Sequence, residues 1–115
     1  MADKSITLLK GTLDVLILKT LSWGPMHGYA VSRSIRQVTD EAFRVEEGAL
    51  YPALRRLEKK GWLEASWGMT ETRREAKFYA LTREGRRQLQ VEVNAWTRYV
   101  ETMSRVLYRN QPLEA

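Results

Sequence analysis

The stretch EEGALYPALRRLEKKG, residues 46–61, decides how the rest of the chain is read. At about 100° per residue, Leu50, Leu54 and Leu57 fall on one side of a helix, and Pro52, Arg55, Arg56 and Lys59 cluster on the other. Pro52 has no N–H to give, so it is tolerated only near a first turn, which places the helix start at residues 47–49. Glu46 and Glu47 then stand at the positive end of the helix dipole. Small Gly48 and Ala49, beside the flat and hydrogen-bonding Tyr51, leave that end room to approach a surface closely. A cationic helix face taken alone is usually solvated surface, so its use must be sought in its neighbours.

Upstream, the apolar residues from 8 to 21 suit a helix whose apolar circumference is wider than one buried stripe, so it calls for cover on two sides. Trp23, Gly24 and Pro25 end it, and Tyr29, Val31, Ile35 and Val38 mark a shorter helix from about His27, followed by a polar connection at 39–41. Downstream, 62–67 and 77–81 read as strands of a hairpin, joined by the charged segment 68–75, which is too long for a tight turn. Thr82 is placed to cap a long helix over 83–107. Helix, helix, helix, hairpin, long helix is the order of a winged helix, in which the third helix enters a major groove of DNA and the hairpin reaches the neighbouring backbone. The expected fold is mainly α (α+β): a winged helix-turn-helix over 1–82 with a two-stranded β wing, a C-terminal dimerisation helix over 83–109 and a tail at 110–115.

Charge agrees with that order. The 115 residues, at 43% hydrophobic content, suffice for one core, and Lys+Arg 19 against Asp+Glu 14 gives +5. Residues 44–90 carry eleven cations and seven anions, or +4 of that total, and Arg73, Arg74 and Lys77 lie where a wing meets phosphates. Double-stranded DNA is the polyanion that fits.

From residue 91 onward three cations balance three anions, so the last helix has another task. Leu89, Val93, Trp96, Val100, Met103 and Leu107 recur at spacings of 4, 3, 4, 3 and 4, the seam of a helix that pairs with another helix. A homodimer follows, with Leu9, Leu13 and Ile17 of the first helix supplying the other half of the interface; packing on the chain's own core is the plainer alternative. Trp96 stands mid-seam, where paired helices favour smaller aliphatic side chains, and Tyr99 and Met103 lie near it.

The motifs GTLDVLILKTL, GPMHGYAVSRSI, EEGALYPALRRLEKKGWLEASW and KFYALTREGRRQL together resemble the PadR family of bacterial transcriptional regulators, in its short form with one C-terminal helix. The strongest parts are Gly28-Tyr29, the run Leu50, Tyr51, Pro52, Leu54 and Leu57, and Tyr79, Leu81, Thr82 and Gly85 closing the wing. The resemblance implies a homodimeric repressor on a roughly palindromic operator, with Tyr29, Gly48, Tyr51 and Pro52 at or near the DNA and wing cations on flanking phosphates. It implies further that a planar hydrophobic effector is sandwiched by a tryptophan from each subunit, as in the multidrug-sensing members. Trp96 is the residue in that position, with Tyr99 and Met103 lining the same effector pocket, unless Trp96 merely fills the interface and the other two are ordinary packing.

Other classes find little support. There is no Cys, the single His27 reads as a cap or surface residue, no acidic cluster has metal-ligand spacing, and neither a phosphate loop nor a nucleophile elbow is present, so no cofactor, metal or catalytic residue is expected. Lys10, Asp14 and Lys19 interrupt the most apolar region well short of the roughly 18 residues of a membrane span. The first residues lack the features of a signal peptide, and a cytoplasmic chain is expected. A winged helix that docks on an acidic protein is the alternative reading. RNA binding is less favoured because no aromatic stacking platform is evident.

Overall fold

In the computed structural model, which describes residues 6–9 and 11–114, the chain runs α1 (Thr12–Leu21), β1 (Met26–His27), α2 (Gly28–Val38), α3 (Glu47–Lys59), β2 (Leu63–Met69), β3 (Glu75–Leu81) and α4 (Arg83–Leu107). The outer limits drawn above at residues 1 and 115, and residue 10 within the first expected helix, lie outside the described residues. α1 begins later than expected because Gly11, at φ 88°, takes the left-handed conformation that glycine adopts without strain and turns the chain into the helix there.

One core joins the elements: Ile17, Leu18 and Leu21 of α1, Val31 and Ile35 of α2, Leu50, Ala53, Leu54 and Leu57 of α3, and Leu63, Tyr79 and Leu81 of the sheet. α1 is its centre, touching α2, α3, β3 and α4, which is the two-sided cover its apolar circumference calls for. Ile17 is wholly buried there, so the reading of it as a partner-facing residue is corrected: its side chain is committed to the chain's own core. Leu13 is partly buried against the same core and Leu9 is exposed.

The sheet has three antiparallel strands in the order β1-β3-β2 rather than two. Met26 and His27 pair with Tyr79 and Phe78, a strand too short to show any alternation. The connection between the wing strands is also shorter than expected, because β2 runs on through Gly68 and Met69 and leaves only residues 70–74 as the turn. Thr70 N–H donates to the Arg74 carbonyl (2.8 Å), Arg73 N–H to the Thr70 carbonyl (2.9 Å), and Arg74 N–H to Thr70 Oγ1 (3.1 Å). Gly68 serves packing rather than the turn, since a β-carbon there would lie 3.0 Å from the Phe78 ring.

α4 starts where Thr82 caps it, with Oγ1 accepting from Gly85 N–H at 3.0 Å, and it runs the full 25 residues expected. Only its root is covered: Gly85 is buried and Leu89 packs on the core, while most of the residues from Gln90 onward are exposed.

Candidate nucleic-acid interface

α3 turns Gly48, Ala49, Tyr51, Pro52, Arg55 and Lys59 outward, all exposed, with its leucines beneath. Two of the cations expected on this surface are held by acids of the same chain. Arg56 lies on the flank toward α1, where Nη2 donates to Asp14 Oδ1. Lys77 on β3 reaches the opposite flank, its Nζ 3.1 Å from Glu58 Oε1. Arg55 and Lys59 therefore carry the outward charge, while Asp14 and Glu58, which sequence reading passed over, brace α3 against α1 and the wing. Burial pushes the Tyr79 phenol up, the Lys77 ammonium opposing it, so the ring stays neutral under α3.

Tyr51 is set by its neighbour on α2. A β-carbon at Gly28 would lie 2.7 Å from Tyr51 Cε1 and 3.0 Å from its hydroxyl oxygen, so the phenol rests directly on the first turn of α2. His27 caps that turn, Nδ1 accepting from Ala30 N–H at 3.3 Å, and its ring meets Phe78 edge-on and Tyr29 face-on. Tyr29 is exposed beneath the Arg33 guanidinium, 5.7 Å from the ring centre. Tyr29, Arg33, Tyr51 and Arg74 line one open cleft of about 860 Å³ between α2 and the wing. Arg33 was legible as the residue one turn after Tyr29 and was missed. Replacing a helical glycine with alanine ordinarily stabilises, yet Gly28→Ala is expected to weaken DNA binding about tenfold by evicting one hydrogen-bonding ring. Titration of labelled duplex checks this, with Gly28→Ala neutral once Tyr51→Ala has removed the ring.

The wing tip presents Arg73, at φ 60°, and Arg74, both exposed. On α4 the side chains of Val93, Trp96, Val100, Met103 and Leu107 are exposed, with Trp96 at 45%. Trp96 and Tyr99 stack with ring centres 6.3 Å apart and, with Glu92 and Ala95, face Leu9, Gly11, Thr12 and Val15 across a groove of about 460 Å³. Met103 does not line this groove.

Three helices around one core, a braced third helix with a cationic outer surface, and a wing beside it define a winged helix-turn-helix DNA-binding protein. The chain belongs to the transcriptional regulator PadR-like family, whose model matches residues 17–91. A solved transcriptional regulator from Clostridium thermocellum superposes with TM-score 0.78 at 32% identity, over 85% of this chain and 95% of that one. A PadR family transcriptional regulator from Eggerthella lenta does so with TM-score 0.74 at 33% identity, over 88% and 86%. An uncharacterized protein of Lysinibacillus sphaericus is 32% identical over 94 residues, 82% of this chain and 86% of that protein. The family resemblance carried by the motifs is thus the family that comparison shows, and the chain is a DNA-binding transcriptional regulator. Among the described residues no helix is long and apolar enough to cross a membrane, and no cluster of His, Cys, Asp or Glu has the makings of a metal site.

Proposed function

We propose that this regulator is a homodimeric repressor in which residues 1–82 bind DNA and the helix of residues 83–109 dimerises. The observation that carries this is the 25-residue α4, whose apolar seam from Val93 to Leu107 stays 37–63% exposed in the single chain. Two copies joined along that seam would set two α3 helices into successive major grooves, about 34 Å apart, of a palindromic operator. Tyr29, Tyr51, Arg55 and Lys59 would meet the DNA, and Arg73 and Arg74 the flanking phosphates. The groove beside Trp96 and Tyr99 would lie at the dimer centre and take a planar hydrophobic effector that shifts the population away from the operator-binding form.

Selection from a pool of random duplexes tests the reading. The expected result is an inverted repeat with half-sites about 10 base pairs apart or a multiple of that. Failure of a folded protein to retain any motif at low salt would favour docking on an acidic protein instead. On the recovered operator, Arg55→Ala is expected to cost about tenfold in affinity, within the roughly 1–3 kcal/mol of a base or phosphate contact, with the dimer intact. Gel-shift titration and sedimentation of the same variant read both quantities.

A further inference from the structure

The register of the wing pairs Leu63 with Leu81, Ala65 with Tyr79, Trp67 with Lys77 and Met69 with Glu75. Directly opposed residues of an antiparallel pair share a face, so these eight lie on one side of the hairpin. At its root that side is the core, where Leu63, Leu81 and Tyr79 are buried. Beyond the root the same side leaves the core, and Trp67 and Met69 are 69% and 68% exposed. The bond from Lys77 to Glu58 fixes its direction: this side of the wing is turned toward the outer flank of α3, not away from it.

A tryptophan in that place contributes little to the fold. Its indole is left in water, and among the described residues no other ring stacks on it. On the same face Lys77 lies directly across the hairpin from Trp67, and Met69 leads on to the wing tip that carries Arg73 and Arg74, while Tyr51 and Arg55 of α3 stand near enough to bear on the Tyr79 phenol closer to the root. An apolar pair with Lys77 beside it and Arg73 and Arg74 at the tip beyond, and with Glu75 the one acid among the eight residues of that face, fits the wall of a duplex groove, where deoxyribose faces lie between rows of phosphates. Apolar side chains are a recurrent means of gripping the minor groove. We propose that Trp67, supported by Met69, is a further DNA-contacting residue, which seats the wing against the sugar wall of the minor groove beside the major groove entered by α3. The proposal rests on the DNA-binding reading above and adds to it a contact without charge.

That difference supplies the test. On the selected operator, titrated over a range of salt, Trp67→Ala is expected to bind about tenfold more weakly at every concentration with the salt slope unchanged, because no counterion contact is lost. Arg73→Ala combined with Arg74→Ala should instead flatten the slope, by up to about two. Trp67→Phe keeps a flat apolar ring and should stay within about threefold of the unsubstituted protein. Acrylamide quenching compared between the unsubstituted protein and Trp67→Phe isolates the Trp67 signal, and operator is expected to shield it. Unchanged affinity of Trp67→Ala on an operator that the unsubstituted protein binds would overturn the proposal while leaving the DNA-binding reading in place. So would an effect of Trp67→Ala on sedimentation rather than on affinity, which would assign the patch to a second copy. An unsubstituted protein that binds no duplex overturns both.

Discussion

Gly85→Ala is expected to lower stability by about 3 kcal/mol or more, and the melting temperature by roughly 10–20 °C, against the usual sign for alanine in a helix. The reason is one carbonyl. A β-carbon at Gly85 would lie 2.0 Å from the Trp62 oxygen, far inside contact distance, and the atom it strikes is backbone that no rotamer change can move. The same oxygen accepts from Thr82 N–H at 3.1 Å, while Thr82 Oγ1 donates to the Gly61 carbonyl at 2.6 Å and accepts from Gly85 N–H at 3.0 Å. Making room for the methyl group therefore loosens both the cap of α4 and the bonds that tie it to the turn after α3. Gly48→Ala is the control, because nothing lies within 4 Å of a β-carbon there and helix propensity alone should act. Thermal melts followed by circular dichroism compare the two, and a Gly85→Ala protein that melts at or above the unsubstituted temperature would show that the root of α4 is not held this way.

How much of this was legible in the sequence follows from which signals are local. α3 and α4 could be read closely because each carries its own punctuation, Pro52 near one start and Thr82 before the other, together with unbroken helical periodicity. β1 could not, since two residues paired to a strand 50 positions later leave no period to detect. Gly68 looks like a loop residue until Phe78 is seen crossing it. The site shows the same limit. A helical wheel counts Arg56 among the outward cations, but whether it faces solvent or α1 depends on where Asp14 stands, 42 positions earlier in the chain. Ile17 shares an apolar stretch of sequence with Leu9 and Leu13, and only tertiary packing separates the residue enclosed by the core from those near the surface.

That packing also gives α1 a place between the two proposed functions. Thr12 and Val15 line the groove beside Trp96, and Asp14, between them in sequence, holds Arg56 of α3. An ion pair exposed to this degree contributes little stability, on the order of 1 kcal/mol or less. Its position matters more than its strength, because it adds to the core packing of α1 on α3 a direct contact between the helix that lines the groove and the flank of α3. The route is a physical connection of two elements, and evidence of energetic coupling would have to come from a double-mutant cycle on Asp14 and Trp96.

If α4 pairs as proposed, Val100→Glu should separate the subunits, weakening self-association by about a thousandfold, the size of the roughly 3–5 kcal/mol lost when a charge is buried without a partner. Val100 lies mid-seam and is 40% exposed in the single chain, so glutamate there has water to solvate it and the fold of each subunit should persist. In a two-fold interface the same substitution enters from both sides, and two carboxylates near the axis repel each other besides losing their hydration. Sedimentation then reads monomers whose helical content is unchanged. The consequence for DNA follows from geometry: a dimer binds its second half-site at the high effective concentration set by the first, and a monomer loses that gain without losing any contact of α3. Affinity for the full palindrome should fall by at least about a hundredfold, while the weak affinity for a single half-site stays where it was. A variant that still sediments as a dimer would move the interface off this seam. One that is monomeric yet binds the palindrome at full strength would break the link between α4 and operator spacing, and leave α3 and the wing as the whole of the recognition.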